Sequence, residues 1–115
     1  MTMRAVLAVV PVAEIDKAIQ WYERFFGRPA DTRPMDSLAE WHLSELGVVQ
    51  VFEDPDRAGR TTVNLTVDDL DATLSTLSGQ NIPSTDPQLV SGGRQRLALI
   101  QDPDGNQLGL IQSLT

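Results

Sequence analysis

The sequence predicts an α+β domain made of two tandem βαβββ modules. Three observations lead there. The order strand, helix, three strands is written twice along the chain. A constant offset of 55 residues aligns Val12 with Val67, Asp16 with Asp71 and Ile19 with Leu74. The length, 115 residues with 41% apolar, fits one domain able to bury a core without covalent staples.

Each element has its own justification. Residues 5–10 form a continuous valine-rich run, as expected of a strand covered on both faces. From Glu14 onward Ile15, Ala18, Ile19, Tyr22, Phe25 and Phe26 recur at helical spacing, and Gly27 suits the position just past the last turn. Pro29 and Pro34 break the next stretch, leaving room for one short strand. Residues 40–44 and 48–52 read as two strands joined by a turn near 45–47. Residues 53–60 are an acidic, arginine-punctuated loop. The order then restarts with 62–67, which alternates with period two. Asp68 and Asp69 suit a helix N-terminus, Leu70, Leu74 and Leu77 mark one helix face, and Gly79 ends it. Residues 88–91, Gly92-Gly93 and 94–100 make a hairpin, and a dense turn, Asp102-Pro103-Asp104-Gly105-Asn106, precedes a last strand over 107–112.

Composition removes several function classes. Sixteen acidic residues against nine basic give a formal charge of −7. That opposes binding to nucleic acid or to an anionic membrane surface, both of which call for basic patches. Cysteine is absent, so disulfides, thiolate nucleophiles and Cys-ligated metals are excluded. The single histidine, His42, forbids any site built from two imidazoles of one chain. No segment approaches the ~18–20 apolar residues of a membrane span. The apolar run after Arg4 imitates a short signal peptide but passes directly into a helix pattern, so a cytoplasmic location is expected. Residues 102–106 lack the Gly and Glu placement of an EF-hand loop, and Gly92-Gly93 lacks the Lys-Ser/Thr of a phosphate loop.

The module plan occurs together with Trp21-Tyr22, Phe25-Phe26-Gly27, Val67-Asp68-Asp69-Leu70-Asp71 and the 102–106 turn. This ordered set resembles the vicinal oxygen chelate superfamily of glyoxalase I, extradiol dioxygenases, fosfomycin-resistance transferases and bleomycin-resistance proteins. The resemblance covers nearly the whole chain as one domain, with module one at about 4–53 and module two at about 61–113. It implies a cupped mixed sheet enclosing a ligand groove, and a homodimer. Metal-dependent members place ligands on the first and last strand of each module. Those places fall on Leu7, Gln50, Thr62 and Gly109. Leucine and glycine coordinate nothing, and a lone amide oxygen is a weak ligand beside the roughly three His or carboxylate groups a divalent ion needs. No metal and no cofactor are therefore expected.

Strand alternation gives a second route to the groove. Val63, Leu65 and Val67 should pack on the helix, leaving Thr62, Asn64 and Thr66 to the groove. Leu108 and Leu110 should likewise oppose Gln107, Gly109 and Ile111, and Val49 and Val51 should oppose Val48, Gln50 and Phe52. Leu97 and Leu99 look helix-facing, which turns Arg94, Arg96, Ala98 and Ile100 to the groove; Arg96 is then either an anion handle or the partner of a carboxylate across the sheet. The third strand has two registers. With a three-residue turn Glu40, His42 and Ser44 share a face with Gln50; with two residues Trp41 and Leu43 do. Trp41 is thus either a stacking platform or a core residue. No catalytic residue is assigned. His42, the only imidazole, is the natural acid–base candidate, with Glu40 or Ser44 two residues away on the same strand face. Strand spacing fixes no catalytic geometry, however, and a hydrogen-bonded surface histidine is the plainer reading. The expected ligand contacts are Leu7, Trp41, His42, Gln50, Phe52, Thr62, Asn64, Arg96, Gly109 and Ile111.

The reading that follows is a metal-free small-molecule binding protein resembling the drug-sequestering, bleomycin-resistance branch. The alternatives are a glyoxalase-like isomerase or lyase, a dioxygenase of the same superfamily, or a non-catalytic regulatory module.

Overall fold

The computed structural model describes residues 1–114, in two four-stranded mixed sheets and two α-helices. The first sheet contains β1 (Val6–Val12), β2 (Thr32–Met35), β3 (Leu38–His42) and β4 (Gly47–Glu53), in the order β1-β4-β3-β2. The second contains β5 (Thr62–Thr66), β6 (Gln88–Val90), β7 (Gln95–Gln101) and β8 (Gln107–Ser113), in the order β5-β8-β7-β6. In each sheet the first strand runs parallel to the last, and the remaining pairs are antiparallel. The helices are α1 (Ile15–Phe26) and α2 (Leu70–Gly79), whose first residues are again 55 apart. None of the helices among the described residues is long and apolar enough to cross a membrane.

Helix α1 buries Ile15, Ala18, Trp21, Tyr22 and Phe25, the face its spacing predicts. Gly27 adopts φ +75° and its N–H returns to the Glu23 carbonyl, closing the helix in the left-handed turn that glycine accepts without cost. The N-terminus has no local cap. Its first N–H is met from a distance, Ile15 donating to Glu53 Oε2 at 2.9 Å, and the chain entering it is held by the Ala13 N–H on Asp104 Oδ2 at 3.2 Å. Helix α2 is capped conventionally, with the Ala72 N–H on Asp69 Oδ1 at 3.0 Å. Gly79 does not end α2 by a left-handed turn; that conformation falls to Asn81, at φ +61°.

One continuous core joins the two modules. Val10, Val12, Val49 and Val51 of the first sheet and Ala98, Ile100, Leu108 and Leu110 of the second share it with both helices. The turn at 102–106 locks the modules together. Asp102, 4% exposed, accepts from the Tyr22 hydroxyl and the Asn106 amide, each at 2.8 Å, and from the backbone N–H groups of Asp104 and Asn106. Buried Asn106 also donates to the Pro11 carbonyl at 2.7 Å and accepts from the Thr61 N–H at 3.1 Å. A loop motif thus holds the end of β1, the middle of α1 and the start of β5.

Two sequence expectations about sheet faces are corrected. β1 is not covered on both sides. Val10 and Val12 are buried, whereas Leu7 and Val9, pointing the other way, are 50% and 46% exposed. β7 is flipped relative to the expectation: Ala98 and Ile100 enter the core, so Leu97 and Leu99 take the opposite face.

Candidate functional site

Each sheet has one face on the core and one turned away from it. On the first sheet Val9, Gln50, Glu40 and their face-mates point away from the helices, because Val10, Val49, Val51, Ala39 and Trp41 are buried. Glu40 pairs with Gln50, and His42 with Val48. The three-residue-turn register is therefore the observed one, placing Glu40 and His42 beside Gln50; Ser44 lies outside the strand.

A cavity of about 320 Å3 opens on this face. Its walls are Val9 and Pro11 of β1, Met35 of β2, Leu38 of β3 and Phe52 of β4, with Gln50 as the polar group among them. Asp54 and Arg57, 3.9 Å apart, stand where β4 runs into the following loop and also line it. The Gln50 amide nitrogen donates to Glu40 Oε2 at 2.6 Å. The other Glu40 oxygen accepts from the Thr32 hydroxyl at 2.7 Å and lies 3.5 Å from His42 Nε2. The hydrogen bond from Gln50, then that from Thr32, hold the Glu40 carboxyl below the ordinary carboxylate range. It is a fixed anion at neutral pH.

On the second sheet Asn64 lies opposite Gly109, and Thr66 opposite Ile111, on the face away from α2. A Cβ on Gly109 would run into the Asn64 amide, so the glycine makes room for that side chain. A second hollow, of about 390 Å3, lies between the first strands of the two sheets. Val6 and Ala8 line it from β1, and Val63, Asn64 and Leu65 from β5.

The expected contacts thus separate into three groups. Gln50 and Phe52 line the first cavity, and Asn64 lines the hollow between the sheets. Leu7, His42, Thr62, Gly109 and Ile111 stand on the outward faces without lining either space. Trp41 and Arg96 are corrections. Trp41 is fully buried, 5.3 Å from the Phe26 ring, with its indole N–H on the Arg28 carbonyl at 3.0 Å. It is a core residue because β3 follows the other register. Arg96 pairs with Gln112 across the sheet and reaches α2, where its guanidinium makes two hydrogen bonds to Asp71 at 3.0 and 3.1 Å. The flip of β7 removes it from the groove. Thr32 was not foreseen, because nothing in a proline-broken loop signals which face its strand presents.

No family model matches the chain. A curated relative from Vibrio cholerae, named a probable lactoylglutathione lyase, is 25% identical over 96% of this chain and 91% of its own. The crystal structure of a glyoxalase/bleomycin resistance protein from Catenulispora acidiphila superposes with a TM-score of 0.86 at 28% identity, covering 96% of this chain and 98% of that one. The bleomycin-binding protein, solved in complex with bleomycin, gives a TM-score of 0.78 at 24% identity over 97% and 99% of the two chains.

The chain has the fold of the glyoxalase/bleomycin resistance protein/dioxygenase superfamily.

The metal of the superfamily's enzymes does not fit this donor set. In the observed register Gln50 faces Val9, and Leu7 faces Val48; Gly109 faces Asn64, and Thr62 faces Gln107. Neither the expected places nor these neighbours supply an imidazole or a carboxylate. Among the described residues no group of three or more His, Asp or Glu is arranged to hold a metal ion. Glu40, the carboxylate nearest to Gln50, has both oxygens engaged by neighbours.

Proposed function

We propose that this chain binds a small organic molecule in the groove of its first sheet, without a metal, in the manner of a drug-sequestering protein. The observation that carries the reading is an apolar cavity with a hydrogen-bonding amide at a place where the superfamily's enzymes hold a metal ligand. Sequestration needs only affinity, and apolar walls with few convergent polar groups are the usual make-up of such sites. The likeness to a bleomycin-binding protein supports the same branch. A net charge of −7 favours encounter with neutral or cationic compounds over anionic ones.

The cavity is open in one copy. Val9 and Met35, which line it, and Leu7 on the same face of β1 are each about half exposed. We propose that a second copy covers this face and completes the groove. A panel of antibiotics and planar heteroaromatic compounds, screened by thermal shift, tests the binding reading. A ligand that raises Tm in the wild type, and fails to do so when Phe52→Ala or Gln50→Ala alters the cavity, is expected. A panel without effect on Tm counts against it.

A second reading has its own observation. His42 Nε2 lies 3.5 Å from Glu40 on the groove face, an arrangement able to move a proton without metal. The lyase named among the relatives favours it. Glyoxalase-type turnover lost in His42→Ala, with the fold intact, would move this reading to first place.

A further inference from the structure

We infer that Glu40 sets the hydrogen-bonding polarity of the groove, so that the cavity selects apolar molecules bearing an N–H donor. The inference rests on the binding reading above and names the ligand class. A side-chain amide can present either end to a ligand, its oxygen or its nitrogen. Here the choice is made by the protein. A carboxylate only accepts, so the 2.6 Å contact between Gln50 and Glu40 fixes the amide nitrogen toward β3. The oxygen is then the end left free of Glu40, in a side chain that lines the cavity together with Val9 and Phe52.

Glu40 cannot swing aside to release the amide. The Thr32 hydroxyl holds its second oxygen from β2, so the carboxylate is anchored from both neighbouring strands. Its charge adds to the selection by favouring donors and opposing anionic groups near Gln50. Arg96, the one anion handle the sequence suggested for the groove, is paired with Asp71 on the other side of its sheet. Arg57 at the cavity edge stands beside Asp54. Glu40 is therefore a positioning residue, and Gln50 is the contact.

Two near-isosteric probes, 2-aminobenzothiazole and 2-methylbenzothiazole, test this by NMR titration of the full chain. In the wild type both should move the resonances of Val9, Leu38 and Phe52, with the amine bound about tenfold tighter, the worth of one well-placed hydrogen bond. In Glu40→Leu the preference should fall below about twofold while the methyl probe keeps its affinity; Gln50→Leu should behave alike. Equal binding of both probes to the wild type, or a preference that survives Glu40→Leu, overturns the role of Glu40 and leaves the binding reading standing. Failure of both probes to move the cavity resonances overturns both. Should the variants not fold, the wild type still decides. The Gln50 side-chain amide protons are expected to exchange more slowly than those of exposed Gln20, and equal exchange contradicts the assignment.

Discussion

Tyr22 and Glu40 are the side chains whose chemistry is most constrained by their surroundings. Burial, and then the charge of Asp102, push the Tyr22 hydroxyl well above its ordinary pKa, so it remains a donor to Asp102. Tyr22→Phe should cost about 1.5–3 kcal/mol, measured by urea denaturation, because a buried carboxylate loses a charge-assisted hydrogen bond. Since the folded pKa is the raised one, this contribution is complete below pH 10.0 and erodes above it. Glu40 has the opposite sign. Its depressed carboxyl contributes stability above pH 4.5, which is lost as pH falls through the folded value. Carboxyl 13C shifts should therefore give Glu40 a midpoint below 4.5; a midpoint at or above it contradicts the Gln50 and Thr32 contacts. Sequence alternation placed Gln50 and Asn64 on the outward faces because their strands alternate apolar and polar residues. It misplaced Arg96 because β7 is apolar on both faces, so Leu97–Leu99 and Ala98–Ile100 compete on equal terms.

Elements here are joined by loops that carry more than connection. The end of β4 supplies Glu53 to the start of α1, and Gly59 in the loop that follows, at φ +84°, lies against the 102–106 turn. A Cβ at Gly59 would overlap the Asp104 carbonyl in a backbone conformation that L-residues resist. Gly59→Ala should destabilise the fold by about 1–3 kcal/mol, read as a lowered Tm. An unchanged Tm would mean the loop is free to move away. The helices and most strands were legible because their apolar periodicity is strong. The α1 cap was not, since its acceptors, Glu53 and Asp104, lie 38 and 91 residues from the groups they bind. The function of the 102–106 turn was half legible: its residue types announce a turn, while the grip of Asp102 and Asn106 on Tyr22 and Pro11 appears only in three dimensions.

At the scale of the whole molecule, two modules share one core, yet each keeps a sheet face turned outward. The repeat predicted that architecture, and the resemblance supplied the cup. What the chain alone could not reveal was the register of β3, on which the groove's polar cluster depends, since a one-residue slip exchanges Glu40 and His42 for Trp41. Light scattering should report a dimer at micromolar concentration, and Val9→Arg should shift it toward monomer. A wild-type monomer would remove the second copy from the account. The central claim, a groove that holds an organic molecule without a metal, is tested most directly by native mass spectrometry of gently purified protein, prepared without chelator. The account predicts chains free of stoichiometric divalent metal and able to retain a small organic molecule. One divalent ion per groove would contradict it and give the enzyme reading first place.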